Sequence, residues 1–379
     1  MTFSKSGNKD NNKYKLMEND IEHVKEYKYL GFVFTSNGSM TTGINRLCKQ
    51  GEKAWFAIQK YIGGLKQKNI HVWIKLFDAL VKPIILYACE AWGNDISGKF
   101  NNIQTIFRDS FERLHIKICK QILGTHRKTT NIPVLAELGR FPMKLNIDIQ
   151  MIKYFLRLGK IQEDRFLHKI YTENNRKCEN KKDWNYHIKE ILNQCGLSYI
   201  WRNQLNKITQ TYTDSSINKT ISTRMKDIFS QNALAFINKD KNKNCGKMDF
   251  LSQIKDIYAF EPYLNIKNDN HRKSLTKLRL SSHKLEIEVG RWNKVKREER
   301  VCKFCQLGKV ENESHFLFEC PKYTLKRITL YQFINEKLNI DMQIEQDQLK
   351  NLQLLFTMGE LSTMNALGKY IYECFEERH

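Results

Sequence analysis

Four residues toward the C-terminal end have the types and the spacing to hold a soft metal ion: Cys302, Cys305, His315 and Cys320, arranged as C-x2-C-x9-H-x4-C. Zn²⁺ in structural sites takes four thiolate or imidazole ligands in a tetrahedron, and a C-x2-C knuckle delivers two of them from one tight turn. The second pair must come from the returning chain. Gly308 lets the backbone turn after the knuckle, and His315-Phe316-Leu317-Phe318 brings apolar side chains back over the site. Pro321 is expected to stop the segment after the last ligand. Four protein ligands leave no coordination position for water, so the expected Zn²⁺ is structural rather than hydrolytic. Bound there, it would supply roughly 10–16 kcal/mol of local folding energy, and residues 300–323 are expected to melt without it. The plainer alternatives are reduced buried thiols beside an exposed histidine, or a disulfide; the ligand spacing outweighs both.

Other reaction chemistries lack their residues. The sequence contains no Asp-Asp pair, no G-x-x-x-x-G-K-[ST] phosphate loop, no G-x-S-x-G elbow and no H-E-x-x-H helix. A zinc-dependent nuclease would need spare carboxylates that are not grouped here. Cys178, His187, Cys195 and Cys245 fit no usual ligand spacing, so no second metal site is expected from them. Lone histidines such as His115 and His126 are expected to do no chemistry.

A chain of 379 residues with 41% hydrophobic and 11% aromatic residues has material for two or three cores. Only five prolines leave long stretches free to be helical, so a mainly α fold is expected. The formal charge of +22 makes a polyanion, RNA and/or DNA, the default partner, with a membrane surface as the competing sink. No stretch reaches the ~20 apolar residues that span a bilayer; the most apolar run, Ala79 to Cys89, is interrupted by Lys82. The first thirteen residues lack an apolar signal core, so an intracellular location, nuclear and/or cytoplasmic, is expected, with cysteines as thiols or ligands.

Along the chain, YKLM and IEHV flank the turn signal Glu18-Asn19-Asp20, and Lys28 to Thr35 reads as one longer strand closed at Ser36-Asn37-Gly38-Ser39. From Thr42 the apolar period becomes helical, with Ile44, Leu47, Cys48, Trp55, Ile58 and Ile62 on one face and Gly63-Gly64 at the end. Asn69 caps a helix carrying Ile70, Trp73, Ile74, Phe77, Leu80 and Val81, which Pro83 breaks or kinks. Ile84 to Trp92 is apolar nearly all round and belongs in a core; Asn101 to Leu123 reads as an amphipathic helix closed by Gly124. A short helix and turn at 134–142 feeds a helix from Met143 to Leu158, and further helices are expected near 183–195, 198–210 and 217–238. The polar runs at 172–182 and 239–247 read as linkers. The resulting division is an N-terminal strand region (1–39), a helical domain (40–171), a middle helical region (172–247) and a C-terminal part (248–379) holding the metal module. Trp55, Trp73 and Trp92 read as core. From 323 to 379 the pattern is again amphipathic helix, with Leu355, Phe356, Leu361, Leu367, Ile371 and Phe375 as core.

Arg272 to Arg300 carries ten Lys/Arg against four Glu and leads straight into the knuckle. Leu275, Leu278 and Leu285 seat one face, leaving Arg272, Lys273, Lys277, Arg279 and Lys284 outward as phosphate contacts. Arg291, Lys294, Lys296 and Arg297 extend the set around Trp292, a candidate for stacking on a base.

These residues carry a family resemblance. Tyr29-Leu30-Gly31 after a hairpin, LYACEAWG at 86–93, ELGRFP at 137–142, and LRLSSHKLEIEVGRW followed by CKFC and ENESHFLFECPKY together resemble the C-terminal part of non-LTR (LINE-type) retrotransposon reverse transcriptases. The resemblance covers nearly the whole chain. It implies that Tyr29, Leu30 and Gly31 belong to the primer-gripping hairpin beside the palm, that residues 40 to about 125 are thumb-like helices, and that the Cys-Cys-His-Cys module helps hold template RNA or target DNA. Relatives often read Tyr-Gly before Glu-x-Trp where this chain has Tyr87-Ala88. The fingers, most of the palm and the endonuclease have no counterpart, and Met1 falls where a palm strand would already be under way. The expectation is therefore a truncated product of a mobile element: a basic, zinc-containing, nucleic-acid-binding fragment without polymerase activity, with an intact retroelement polymerase in trans as a further partner. The alternative is a zinc-containing structural or adaptor protein whose partners are proteins.

Overall fold

The computed structural model describes residues 1, 3, 14–64, 69–96, 98–176, 178, 183–205, 214–239, 246–339, 354–356 and 360–378. Helices dominate. Four short strands, β1 (Tyr14–Leu16), β2 (Asn19–Ile21), β3 (Glu26–Tyr29) and β4 (Phe32–Thr35), form two separate antiparallel hairpins. There follow α1 (Thr41–Ile62), α2 (Ile70–Leu76), a π turn (Phe77–Val81), α3 (Lys82–Ile85), α4 (Cys89–Trp92), α5 (Ser110–Leu123), α6 (Asn131–Glu137), α7 (Met143–Leu158), α8 (Phe166–Arg176), α9 (Trp184–Gln194), α10 (Ser198–Leu205) and α11 (Asp214–Asn238). The remainder is α12 (Asp249–Ile254), α13 (Asp269–Arg279), α14 (Glu286–Trp292), α15 (Thr324–Leu338) and α16 (Leu361–Glu376). Much of the polar runs at 172–182 and 239–247, and Cys245 with them, lies outside the described residues.

Contacts gather the chain into two compact units, each assembled from three segments: Met1–Gly63, Leu76–His115 and Phe141–Phe229 in one, Gly64–Lys75, Ile116–Arg140 and Ser230–His379 in the other.

In the first unit the expected single strand from Lys28 to Thr35 is instead a hairpin, with Tyr29 opposite Phe32. Leu30 and Gly31 both take positive φ, 46° and 89°, the two-residue turn whose twist matches a strand pair. Phe32 and Val33 are buried and β4 packs on α1. The first hairpin likewise turns one residue earlier than expected, at Met17 (φ 57°) and Glu18. The apolar period of α1 buries Ile44, Leu47, Cys48, Trp55 and Ile58 on one face, as expected. Pro83 does not break its helix: the π turn carries the chain from Phe77 into α3, and it rotates Leu80 outward to 51% exposure.

Ile84 to Trp92 is only partly buried. Ile85, Leu86, Cys89 and Trp92 are interior, but Ala88 turns left-handed at φ 53° and Tyr87 points away, its hydroxyl donating to the Leu30 carbonyl. The expected helix from Asn101 begins only at Ser110, because the Asn102 side chain accepts from the Gln104 and Thr105 N–H groups and holds a turn that competes with helix. α7 matches its expected bounds. Its Lys144 N–H donates at 2.7 Å to the fully buried Glu112, and its Lys144 ammonium bridges Asp148 at 2.5 Å. His115 is buried and stacked on Phe77.

The second unit is built around a buried carboxylate. Glu137, the last residue of α6, is 0% exposed and receives both Nε (2.8 Å) and an Nη (2.9 Å) of Arg279, while the Tyr263 hydroxyl donates at 2.6 Å. Lys255 lies 3.8 Å away and also pairs with Glu261, which accepts from Arg279 at 2.9 Å. Burial alone would raise the Glu137 pKa, but Arg279 and Lys255 outweigh it and hold the carboxyl below its ordinary range. Gly139 follows at φ 58° with its Cα against the Phe260 backbone, where a Cβ would come within 2.5 Å of the Phe260 nitrogen. Arg272 and Arg279 are thus corrected from outward to buried: α13 is covered by α16 and by the 3-10 turn Pro262–Asn265, and Arg272 is spent on Asp269 and on the Ile266 carbonyl. The α16 core contains Leu367 and Ile371 as expected, whereas Leu361, at its first turn, is 42% exposed.

Two outcomes follow from these buried charges. Glu137→Ala strands the Arg279 guanidinium and is expected to cost about 3–5 kcal/mol in urea unfolding, while removing both partners for apolar residues costs less than the single change. Burial pushes the Glu112 carboxyl up to about 8, with Asp109 adding to it and the Lys144 and Met143 N–H groups opposing. Because the folded value is raised, its stabilising contribution is complete below the unfolded carboxyl range near ~4.3 and is lost as pH rises to and through about 8. Glu112→Gln should therefore flatten the fall in urea midpoint between about pH 5 and about pH 9.

Candidate metal centre

The knuckle is held open by a small ribbon. Val301 and Val310 form an antiparallel bridge, Cys302 N–H donates to the Lys309 carbonyl (2.9 Å) and Glu311 N–H to the Arg300 carbonyl (2.9 Å). Gly308 turns this ribbon at φ 63°, as its place after the knuckle suggested. The chain then returns through Asn312, whose side chain caps the His315 N–H at 2.8 Å, into a π turn over His315–Glu319. Its wider pitch brings Cys320 N–H onto the His315 carbonyl at 2.8 Å. Pro321 ends that turn and opens a 3-10 turn that runs into α15. Phe316, Leu317 and Phe318 are buried. The buried Arg327 of α15 donates to the Leu317 and Cys320 carbonyls, and Tyr370 of α16 donates to that of Leu317.

This scaffold draws the four expected ligands together: their donor atoms all lie within 4.8 Å of one another. Cys302 Sγ and Cys320 Sγ are 4.0 Å apart, and Cys305 Sγ is 3.5 Å from His315 Nε2. Bonds of ~2.3 Å to sulfur and ~2.0 Å to nitrogen in a tetrahedron give S–S edges of about 3.8 Å and S–N edges of about 3.5 Å, so the cage has the size of a four-coordinate Zn²⁺ site. Among the described residues it is the one group of this kind.

The surroundings suit a cation. Burial pushes the Cys302 thiol up to about 12, the Phe304 N–H opposing and Glu311 and Cys320 adding, and burial likewise raises Cys320. Burial thus disfavours the thiolates of Cys302 and Cys320; a divalent ion in the cage would displace protons from its sulfur ligands. His315 turns its other nitrogen toward Glu319 (3.4 Å), which Lys309 pairs at 3.0 Å, an outer carboxylate of the kind that orients a metal-bound imidazole. Such an ion would have all four positions filled by protein and would tie the ribbon to the π turn.

The basic residues expected to meet phosphate fall into separate places. Lys273, Lys277 and Lys284 line a cleft of about 630 Å³ beside the knuckle, together with Lys303 and Arg378, which sequence reasoning missed. Arg291 and Arg297 line a smaller polar cleft of about 240 Å³, where Arg291 is engaged by Glu288. Trp292 is 52% exposed, and Lys294 and Lys296 are exposed beside it. Arg272 and Arg279 face inward, as above. Tyr29, Leu30 and Gly31 form the tip of the second hairpin, with Tyr29 and Leu30 exposed. Arg378 was hidden by its distance along the chain: it closes on Glu311 and lies 4.4 Å from the Phe304 ring, where Lys322 also sits at 4.4 Å.

No known protein family, curated protein or solved structure matches the chain. The described helices include none long and apolar enough to cross a membrane.

Cys302→Ser is expected to release the ion and to unfold 300–323 while α1 and α7 persist. Native mass spectrometry is expected to find one divalent ion per unmodified chain and none in the variant, and unchanged metal content would overturn the assignment.

Proposed function

We propose that this chain binds nucleic acid through phosphate contacts, with a structural Zn²⁺ in the Cys302, Cys305, His315, Cys320 cage holding part of the binding surface. The observation that carries the reading is the gathering of five basic side chains, from α13, the loop after it, the knuckle and the residues that follow α16, around one cleft. Three of them are paired with Asp269, Glu286 and Glu311, and Lys277 and Lys284 are left to meet an anion from outside. Phosphate recognition supplies affinity with little base specificity.

We further propose that the chain is the C-terminal region of a LINE-type reverse transcriptase, acting as a holder of template RNA or target DNA without polymerase chemistry of its own. Two features support this. The hairpin turn sits at Tyr29-Leu30-Gly31, the residues that carry the resemblance. Ala88 occupies a left-handed conformation, φ 53°, which accounts physically for the glycine that the resembling sequences carry there. The adaptor reading draws on a different observation: Met17, Tyr27, Tyr29 and Leu30 are exposed on two hairpins whose outer edges have no strand partner among the described residues.

Affinity for a mixed-sequence oligonucleotide should fall about a hundredfold between about 50 mM and about 200 mM salt if about four phosphates are neutralised. Fluorescence anisotropy reads this directly. A flat response would favour the adaptor reading.

A further inference from the structure

The cleft beside the knuckle has a division of chemistry that points beyond general phosphate attraction. Lys277 and Lys284 are exposed on its rim and have no carboxylate partner among the described residues. The other cations there are already engaged: Lys273 with Asp269, Lys303 with Glu286 at 2.9 Å, and Arg378 with Glu311. Phe304, Tyr372 and Phe375 line the same cleft, as does Glu376. Phe375 of α16 is half-buried and stacked with both Phe316 (ring centres 5.0 Å apart) and His283 (6.4 Å), whereas Tyr372, one turn before it, stands tilted beside His271. Phe304 is held by its two cations, so the knuckle fixes one side of the opening.

A cavity of about 630 Å³ is the size of a site for a small ligand rather than of a groove for a double helix. Paired bases bury their faces in their own stack, whereas an unpaired base offers a face to an aromatic wall while its phosphate stays at the rim. Two lysines without a carboxylate partner among the described residues and the Tyr372 ring in one cleft match that chemistry. Resting on the nucleic-acid reading above, we infer that this cleft seats one or two unpaired nucleotides of a single strand, phosphates toward Lys277 and Lys284 and a base toward Tyr372. The single strand, not the duplex, is then the preferred partner of this face.

The test uses the full-length chain and fluorescein-labelled ten-nucleotide probes, oligo-dT and oligo-U, against a blunt duplex of equal length. The unmodified protein is expected to bind the single strands at least about tenfold more tightly than the duplex. Lys277→Glu with Lys284→Glu, both exposed, should weaken single-strand binding at least about tenfold and lower the salt slope by about two, with zinc content and thermal midpoint unchanged. Tyr372→Ala should weaken it about fivefold or more while Tyr372→Phe does not. If the unmodified chain binds nucleic acid but the charge reversals leave single-strand affinity intact, the cleft assignment is overturned and the broader reading stands. If single-strand and duplex affinity fall equally, the preference for unpaired nucleotides is overturned. If the unmodified chain binds neither probe, both readings fail together.

Discussion

A carboxylate without access to water must find its counter-charge inside the protein, and in the second unit that requirement sets the arrangement of the elements. Glu137 at the end of α6 is met by both arms of Arg279 from α13, by Tyr263 from the 3-10 turn, and by Lys255 from the segment after α12. Each of these groups would cost several kcal/mol if left dehydrated and alone, so α6, α13 and the residues between 255 and 263 have one acceptable register. The sharp turn at Gly139, closed against the Phe260 backbone, lets the carboxylate reach that position. Once Arg279 and Arg272 point inward, the cations left on α13 are Lys273 and Lys277, and they line the same opening.

The metal cage poses the same problem with sulfur. Cys302 and Cys320 are buried beside each other and beside Glu311, an environment that suppresses thiolate formation unless a cation shares the space. The protein meets this with a preformed enclosure: a bridged ribbon, a π turn, and Arg327 fastened to the carbonyls behind the last ligand. Glu311 illustrates the economy of the arrangement, since the carboxylate beside Cys302 also accepts the Arg378 guanidinium that rests against Phe304. Lys303 and Phe304, between Cys302 and Cys305, line the cleft, so a loss of order in the cage would disturb that part of the lining.

Much of the helical skeleton was legible because burial imposes a period. The apolar residues of α1 recur at three and four, and those of α7 fill the span from Met143 to Leu158, so both helices could be placed from hydrophobicity alone. Short-range competition was harder to see. Asn102 captures nearby N–H groups and delays α5 to Ser110, and Leu30 accepts a left-handed conformation that a β-rich run would not suggest. In both places a local hydrogen-bonding or turn preference overrides the pattern of apolar residues.

The sequence by itself determined which four residues could hold a metal ion, the mainly helical class and the excess of positive charge, since donor chemistry, hydrophobic period and net charge are properties of residues and their spacing. Only the tertiary structure decided which cations serve the interior and which the surface. A charged side chain reads the same in either place, and whether it is dehydrated depends on partners far along the chain, such as Glu137 for Arg279 and Glu311 for Arg378.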